Sequence, residues 1–345
     1  MENKLDNFAN LPENDKQAYY EFTADKKGLP KNIIEKDFWV CWTLKQLFSL
    51  SDIGENLIFK GGTSLSKAYQ LIERFSEDID ISIDKKYLGF IEDRDPEKAS
   101  SKKKQQALIK ELAEECSDFV QNKLKNELDS QFLKELNSTD IDWYIEIDPS
   151  DVDRQTLLFY YPTLSKNTIE SYIRPAVKIE LGARGAGNPF NICKISPFIK
   201  DDIPDAQFTS TIKIKTLAAE RTFWEKATIL HMYANWPENK MLPLRQSRHF
   251  FDFYKLIKSN IKQIAAPDVS LLKNVAEHKK IYFRSGWANY DNARKGTLNL
   301  IPPHIVLNSL ENDYKQMKEM FYGEPVSWDK IVSEIKQFES EFNSI

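Results

Sequence analysis

Apolar residues recur at helical spacing in two early stretches, at about 13–25 and 31–49. In the second, Ile33, Ile34, Phe38, Trp39, Trp42 and Leu47 form a stripe behind Pro30, a residue well suited to a helix start. Leu57-Ile58-Phe59 is a short apolar run ended by Gly61-Gly62, which predicts a buried strand. Leu65, Ala68, Tyr69, Leu71 and Ile72 return to helical spacing. Ile79, Ile81 and Ile83 then alternate with Asp78, Asp80 and Ser82, the period of a strand. Residues 84–104 are charged and aperiodic and predict a loop, followed by a long helix over about 104–136. Strands are predicted at 141–148, 155–161, 173–182 and about 190–196. Pro197 and Pro204 bracket a connection into Thr211-Ile212-Lys213-Ile214-Lys215, after which the pattern is helical almost to the end. No internal repeat is visible. The class is α+β, with a strand-bearing domain over 1–210, including the N-terminal helices, and a mainly helical one over 211–345.

Composition narrows the class. The chain has 345 residues, 41% of them hydrophobic, enough for one large or two ordinary cores. It has no run of eighteen apolar residues and no secretory pattern at Met1-Glu2-Asn3-Lys4, so a cytoplasmic protein without a membrane span is expected. Cys41, Cys116 and Cys193 lie far apart without metal-type spacing and read as buried free thiols. The four histidines are equally scattered, which argues against zinc. A net charge of −4 argues against a uniformly basic nucleic-acid binder. Between Lys240 and Lys295, however, twelve Lys/Arg face four Asp/Glu, a local balance of +8. That asymmetry fits a polyanion-facing half or, equally, ordinary solvated helix faces.

The chemistry concentrates in Lys60-Gly61-Gly62-Thr63-Ser64-Leu65 and, a dozen residues on, Arg74-Phe75-Ser76-Glu77-Asp78-Ile79-Asp80. Two glycines let a backbone approach phosphate without a Cβ in the way. Thr63 and Ser64 are placed to cap the following helix, whose first amides favour anions. Asp78 and Asp80 share one strand face, where two carboxylates repel unless a cation lies between them. Mg²⁺, which prefers carboxylate and phosphate oxygens, is the expected ion, with Mn²⁺ as its substitute. Strand, glycine turn, helix and aspartate strand together describe a site that holds a nucleoside triphosphate against divalent metal. It is not a Walker A loop, because no Gly-Lys-Ser/Thr follows at the required spacing.

These stretches resemble motif I of the nucleotidyltransferase superfamily, and more narrowly its AbiEii/AbiGii branch. That branch comprises toxins of bacterial type IV toxin-antitoxin and phage-defence systems, the MenT toxins among them. Ile34-Glu35-Lys36-Asp37-Phe38-Trp39-Val40, Ala219-Glu220-Arg221-Thr222-Phe223-Trp224-Glu225-Lys226 and Arg248-His249-Phe250-Phe251-Asp252-Phe253-Tyr254 are similar to its other motifs. The resemblance is dense only in motif I and these three stretches. It implies a polymerase-β-like mixed sheet with flanking helices, and a third carboxylate on a strand beside the aspartate pair. Glu180, in Val177-Lys178-Ile179-Glu180-Leu181, is the leading candidate for it, with Glu146 and Asp148 still open and a plain Lys178–Glu180 surface pair equally consistent. The resemblance also implies that Lys226 contacts the triphosphate, where the alternative is an exposed lysine paired within its helix. It places Asp252 in the active site, holding Lys226 or Arg248. Arg248 and Asp252, four apart, also suit an internal ion pair. Arg74 either reaches phosphate or fixes its loop, and Ser76 either lies at the phosphates or caps a turn.

The expected function is that of a metal-dependent toxin transferring a nucleoside monophosphate from an NTP to an RNA hydroxyl, a tRNA 3′ end above all, with an antitoxin as a further partner. Trp287 and Tyr290 are candidates for base stacking. The alternatives are a non-catalytic nucleotide- or RNA-binding protein on the same fold, and transfer to a small molecule or a protein hydroxyl.

Overall fold

A computed structural model describes residues 4–76, 78–136, 142–164, 175–202, 212–237, 239–322 and 324–344. The chain divides into two compact units, Met1–Ala68 with Ser76–Thr216, and Tyr69–Phe75 with Leu217–Ile345.

In the first unit, helices α1 (Lys4–Ala9), α2 (Glu13–Lys27) and α3 (Lys31–Ser49) precede strand β1 (Leu57–Lys60) and helix α4 (Gly61–Lys67). Strand β2 (Asp78–Ile83) follows, then helices α5 (Lys102–Asp118) and α6 (Lys125–Glu135), then β3 (Tyr144–Ile147), β4 (Thr156–Tyr160), β5 (Ala176–Gly182), β6 (Phe190–Ile195) and β7 (Ile212–Leu217). The strands form one mixed sheet in the order β3-β4-β5-β2-β1-β7-β6. At its centre β2 runs antiparallel to β1 and parallel to β5. The stripe on α3 buries Trp39 and Trp42 among aromatic rings of α6 and β4. Trp42 and Phe159 each lie 4.6 Å from Phe132, and Trp39 stacks on Tyr161.

The same helix buries three charges, Glu35, Lys36 and Asp37. Glu35 accepts hydrogen bonds from Leu164 N at 2.7 Å and Thr163 Oγ1 at 3.1 Å. Asp37 accepts one from Phe198 N at 2.6 Å and forms an ion pair with Lys67, whose ammonium lies 3.6 Å over the Phe198 ring. The motif stretch Ile34–Val40 and the helix α4 that the glycine turn opens are thus tied by a buried salt bridge.

In three places the structure departs from the pattern. The helix expected through Leu71 and Ile72 stops at Lys67, and Glu73–Phe75 pairs with the chain at Met320–Tyr322. Phe75 N donates to Met320 O at 2.7 Å, and Tyr322 N to Glu73 O at 3.1 Å. The long helix is interrupted at Phe119–Leu124 by a wider π-type turn. Ile212–Lys215, into which the Pro197–Pro204 connection leads and to which the pattern assigns no element, is part of a strand, β7, parallel to β1 through Phe59 and Thr216. Positions 141 and 173–174 of the expected strands, and Pro204, lie outside the described residues.

The second unit is helical: α7 (Ala219–Ala234), α8 (Ser247–Lys258), α9 (Ile261–Ala265), α10 (Val269–Tyr282), α11 (His304–Gln316) and α12 (Trp328–Asn343). Phe223, Trp224, Phe253, Phe338 and Phe342 form its buried centre. Among the described residues no helix is long and apolar enough to cross a membrane. Cys41 and Cys116 are buried, and burial pushes both thiols up to about 12. Cys193 on the edge strand β6 is only half-buried.

The Asp37–Lys67 pair gives a direct test of the fold. Removing one partner from a buried ion pair strands the other, so Lys67→Met is expected to cost about 3–5 kcal/mol in urea unfolding. A loss below about 1 kcal/mol, the range of exposed pairs, would show that the pair behaves as a solvated one.

Candidate active site

The register of β2 and β5 sets Asp78 beside Lys178 and Asp80 beside Glu180. On the other side of Asp80, β1 contributes Lys60. Because side chains alternate along a strand, these five share one face, while Ile79 and Ile179 pair, fully buried, on the other. Of the three carboxylates open for the third position, Glu180 is the one in register with Asp80. Glu146 pairs with Leu158 and is separated from β2 by β4 and β5. Asp148 lies past the end of β3, where its Oδ1 accepts from Ser150 N at 2.9 Å and Ser150 Oγ at 2.6 Å.

The glycine turn serves this face. Gly61 has φ +76°, and a Cβ there would lie 1.8 Å from Asp80 Oδ2. Only glycine permits both the left-handed backbone and the carboxylate packed against it. The reason visible here is Asp80, where the sequence had suggested phosphate. The capping expectation for Thr63 and Ser64 is corrected as well. Strand passes to helix with no intervening residue, so Lys60 is the N-cap, without a side-chain bond, and both hydroxyls lie inside the first turn. Thr63 Oγ1 donates to the Asp78 carbonyl and stands 2.8 Å from Ser76 Oγ; Ser64 Oγ donates to Gly61 O at 2.8 Å. Thr63 and Ser64 are buried, Gly62 is buried beside them, and Ser76 is half-buried.

Lys178 Nζ lies 2.6 Å from Glu180 and 4.0 Å from Asp148. Burial works against its charge, but the Glu180 hydrogen bond and the Glu180, Asp78 and Asp148 carboxylates hold it above the ordinary lysine value. Among the described residues no three His, Cys, Asp or Glu side chains are gathered as a metal-binding group. Two carboxylates on one face, Asp78 and Asp80, still suit Mg²⁺, which takes one or two protein carboxylates and fills its shell with water and phosphate oxygens.

A second cluster forms within the helical unit. Asp252 on α8 is fully buried. Its Oδ1 accepts from Arg74 Nε at 2.8 Å, and its Oδ2 from Arg74 Nη2 at 2.9 Å and Lys226 Nζ at 2.8 Å. Burial alone would raise Asp252, but the Arg74 and Lys226 charges hold it well below the usual carboxylate range. Lys226, on α7, is buried too, not exposed and paired within its helix; burial lowers it against the pull of Asp252. Arg74 directs its remaining nitrogen to Phe75 O at 3.3 Å. Among the described residues neither Asp252 oxygen accepts from Arg248; of the two partners weighed for Asp252, Lys226 is bonded to it and Arg248 is not. Arg248 remains half-buried on the first turn of α8.

His249, not singled out in the sequence, stands 3.0 Å from Lys226 through Nδ1. Since an ammonium only donates, Nδ1 is the acceptor and the ring is neutral. Its position three residues before Asp252 on one helix face was the available signal. The start of α8 is fixed by Asp313, which accepts from Ser247 N at 2.8 Å and Ser247 Oγ at 2.6 Å.

The basic segment is partly neutralised: Lys258 pairs with Glu334, Lys262 with Glu341, and Lys280 with Glu277 and Asp291. Tyr290 is buried, and burial pushes its hydroxyl up to about 12, so it offers no ring face for stacking. Trp287 is half-buried, edge-on to Trp236 at 4.7 Å, with Lys240 near both rings.

Sheet, glycine turn and paired aspartates fit the nucleotidyltransferase class that the motifs resemble. Residues 42–334 match the family model described as nucleotidyl transferase AbiEii toxin, type IV TA system. The chain therefore belongs to the AbiEii family of nucleotidyltransferase toxins of type IV toxin-antitoxin systems, as the motif resemblance implied. Among solved structures it is similar to MenT4, a nucleotidyltransferase toxin from Mycobacterium tuberculosis, at 14% identity and a TM-score of 0.43, covering 94% of this chain and 96% of that one. No curated protein matches the sequence.

The second cluster predicts a pH dependence. Burial, then the Lys226 and Arg248 charges, hold His249 well below the usual imidazole value. The unfolded chain therefore takes up this proton first, at about pH 6.5. The stabilisation is complete above that pH and is lost as pH falls below it. His249→Asn should flatten the slope of melting temperature between about pH 6.5 and 5, with His231, also lowered by burial, keeping part of it. An unchanged slope would show that His249 is accessible to protons in the folded state.

Proposed function

We propose that this toxin transfers a nucleoside monophosphate from an NTP to an RNA hydroxyl, a tRNA 3′ end, in a reaction that depends on Mg²⁺ or Mn²⁺. The observation that carries the reading is the face on which Asp78 and Asp80 stand together with Glu180 in register. Asp78 and Asp80 would hold the cation and Glu180 would supply the third carboxylate. Held there, the ion would supply positive charge against the phosphate oxygens and so lower the barrier to displacement. The hydroxyl oxygen bonds to the α-phosphorus, the α–β anhydride bond breaks, pyrophosphate leaves, and a carboxylate of this face takes up the hydroxyl proton.

Lys226 supplies positive charge to the triphosphate as a compact point charge. Asp252 and His249 fix its ammonium, and Arg74 fixes Asp252, so Arg74 acts through the carboxylate. Arg248 is the more exposed cation on the same helix turn and a second candidate for phosphate. The reading of RNA as acceptor is supported by the excess of Lys/Arg between Lys240 and Lys295 that survives the ion pairs, and by Trp287 beside Lys240. A cognate antitoxin follows from the family.

Incubation with each α-labelled NTP, Mg²⁺ and total bacterial RNA tests the reading. Label should enter RNA, and label on protein or on small molecules alone would overturn the RNA acceptor. Asp78→Asn and Asp80→Asn are expected to abolish transfer with the fold intact, because an amide is a poor Mg²⁺ ligand. Both variants retaining more than a few per cent would remove metal dependence from the account.

Lys226→Ala should slow transfer by about 2–4 kcal/mol of activation free energy, the scale of losing one preorganised donor. Lys226→Arg should rescue only in part, since the planar head needs different room. Equal NTP affinity and rate for Lys226→Ala would reduce the residue to a structural one.

Ser76 lies two residues before Asp78, and a phosphate on it would add about −1.5 to −2 charge beside the carboxylates. Ser76→Glu is expected to inactivate transfer and relieve growth arrest, whereas Ser76→Ala keeps most activity. Wild-type rates for Ser76→Glu would take Ser76 away from the phosphates.

A further inference from the structure

The β2–β5 face contains a cation of its own. Lys178 is in register with Asp78, hydrogen-bonded to Glu180 at 2.6 Å, and 4.0 Å from Asp148. Asp80 and Glu180 are neighbours across the ladder, at a strand spacing of about 4.8 Å. Two carboxylates there, with Asp78 on the same face, repel one another, and Lys178 offsets that repulsion. The lysine and a divalent ion therefore answer the same need and compete for Glu180.

We propose that Lys178 is a positioning residue that holds Glu180 in the metal-free protein and hands it over by swinging to Asp148 when a divalent cation binds. The inference rests on the reading of this face as the metal site. Lys178 keeps its charge throughout; only its partner changes. Asp148 is already within reach: Ser150 holds its Oδ1, and its Oδ2 lies 4.0 Å from the ammonium. The exchange raises the metal concentration at which the third carboxylate becomes available. It also keeps the face from collapsing on stray cations before nucleotide arrives.

The test is Mn²⁺ binding to the full chain without nucleotide, read by electron paramagnetic resonance, together with melting temperature with and without Mn²⁺. Lys178→Met should melt lower than wild type without metal and bind Mn²⁺ roughly 1.5- to fivefold more tightly, the range expected for losing a partly exposed ion pair that competes with the metal. Lys178→Gln should do the same, which guards against a packing effect of the methionine. Asp148→Asn should weaken Mn²⁺ binding, because the lysine loses its second partner, and should have no further effect in the Lys178→Met background. Unchanged Mn²⁺ affinity in both lysine variants, with Asp80→Asn still abolishing binding, would overturn the exchange and leave the metal site standing. Unchanged binding in Asp80→Asn would overturn the metal site itself.

Discussion

The constraint on which the sheet depends is like-charge repulsion. Asp78, Asp80 and Glu180 face the same way on two adjacent strands, and no arrangement of β2 and β5 in this register separates them. The surrounding structure offsets the cost locally. Gly61 lets the backbone turn against the Asp80 carboxylate, and Lys60 and Lys178 stand on either side of the acidic pair. Ile79 and Ile179, sealed on the opposite face, fix the register that brings the carboxylates together.

The helical unit resolves the opposite difficulty, two cations taken out of water. Arg74 and Lys226 are buried around one carboxylate, Asp252, with His249 as a neutral acceptor. A buried ionic group of this kind is poor evidence for stability, since desolvation cancels most of the attraction. It is better explained as orientation: the ammonium of Lys226 is held by two acceptors, and the guanidinium of Arg74 is fixed by two hydrogen bonds to the same carboxylate. Asp313, by bonding the first residue of α8, sets where Arg248, His249 and Asp252 stand.

Much of this was legible in the sequence because it is periodic. Alternation predicted β2 and β5, the apolar stripe predicted α3, and the motif stretches identified the family. What escaped depends on pairing between segments far apart in the chain. Leu71 and Ile72 continue a helical spacing, but the helix ends at Lys67 and Glu73–Phe75 spends backbone bonds on Met320–Tyr322, while β7 is a strand through its pairing with β1. The partners of Asp252 are likewise non-local: spacing offered Arg248 four residues away and the motif offered Lys226, but Arg74 is delivered by packing alone. Glu180 could be named from the motif, but only strand register separates it from Glu146 and Asp148. Glycine at position 61 was expected, yet for phosphate, since the approach of Asp80 cannot be seen in one dimension.

The central claim is that Asp78 and Asp80 hold the catalytic cation on the β2–β5 face. Crystals grown with Mn²⁺ and a non-hydrolysable NTP, measured at the manganese absorption edge, test it most directly. The account predicts an anomalous peak within ligand distance of a carboxylate oxygen of both Asp78 and Asp80, with Glu180 turned away from Lys178. A well-occupied peak elsewhere, with Lys178 still bound to Glu180, would contradict it.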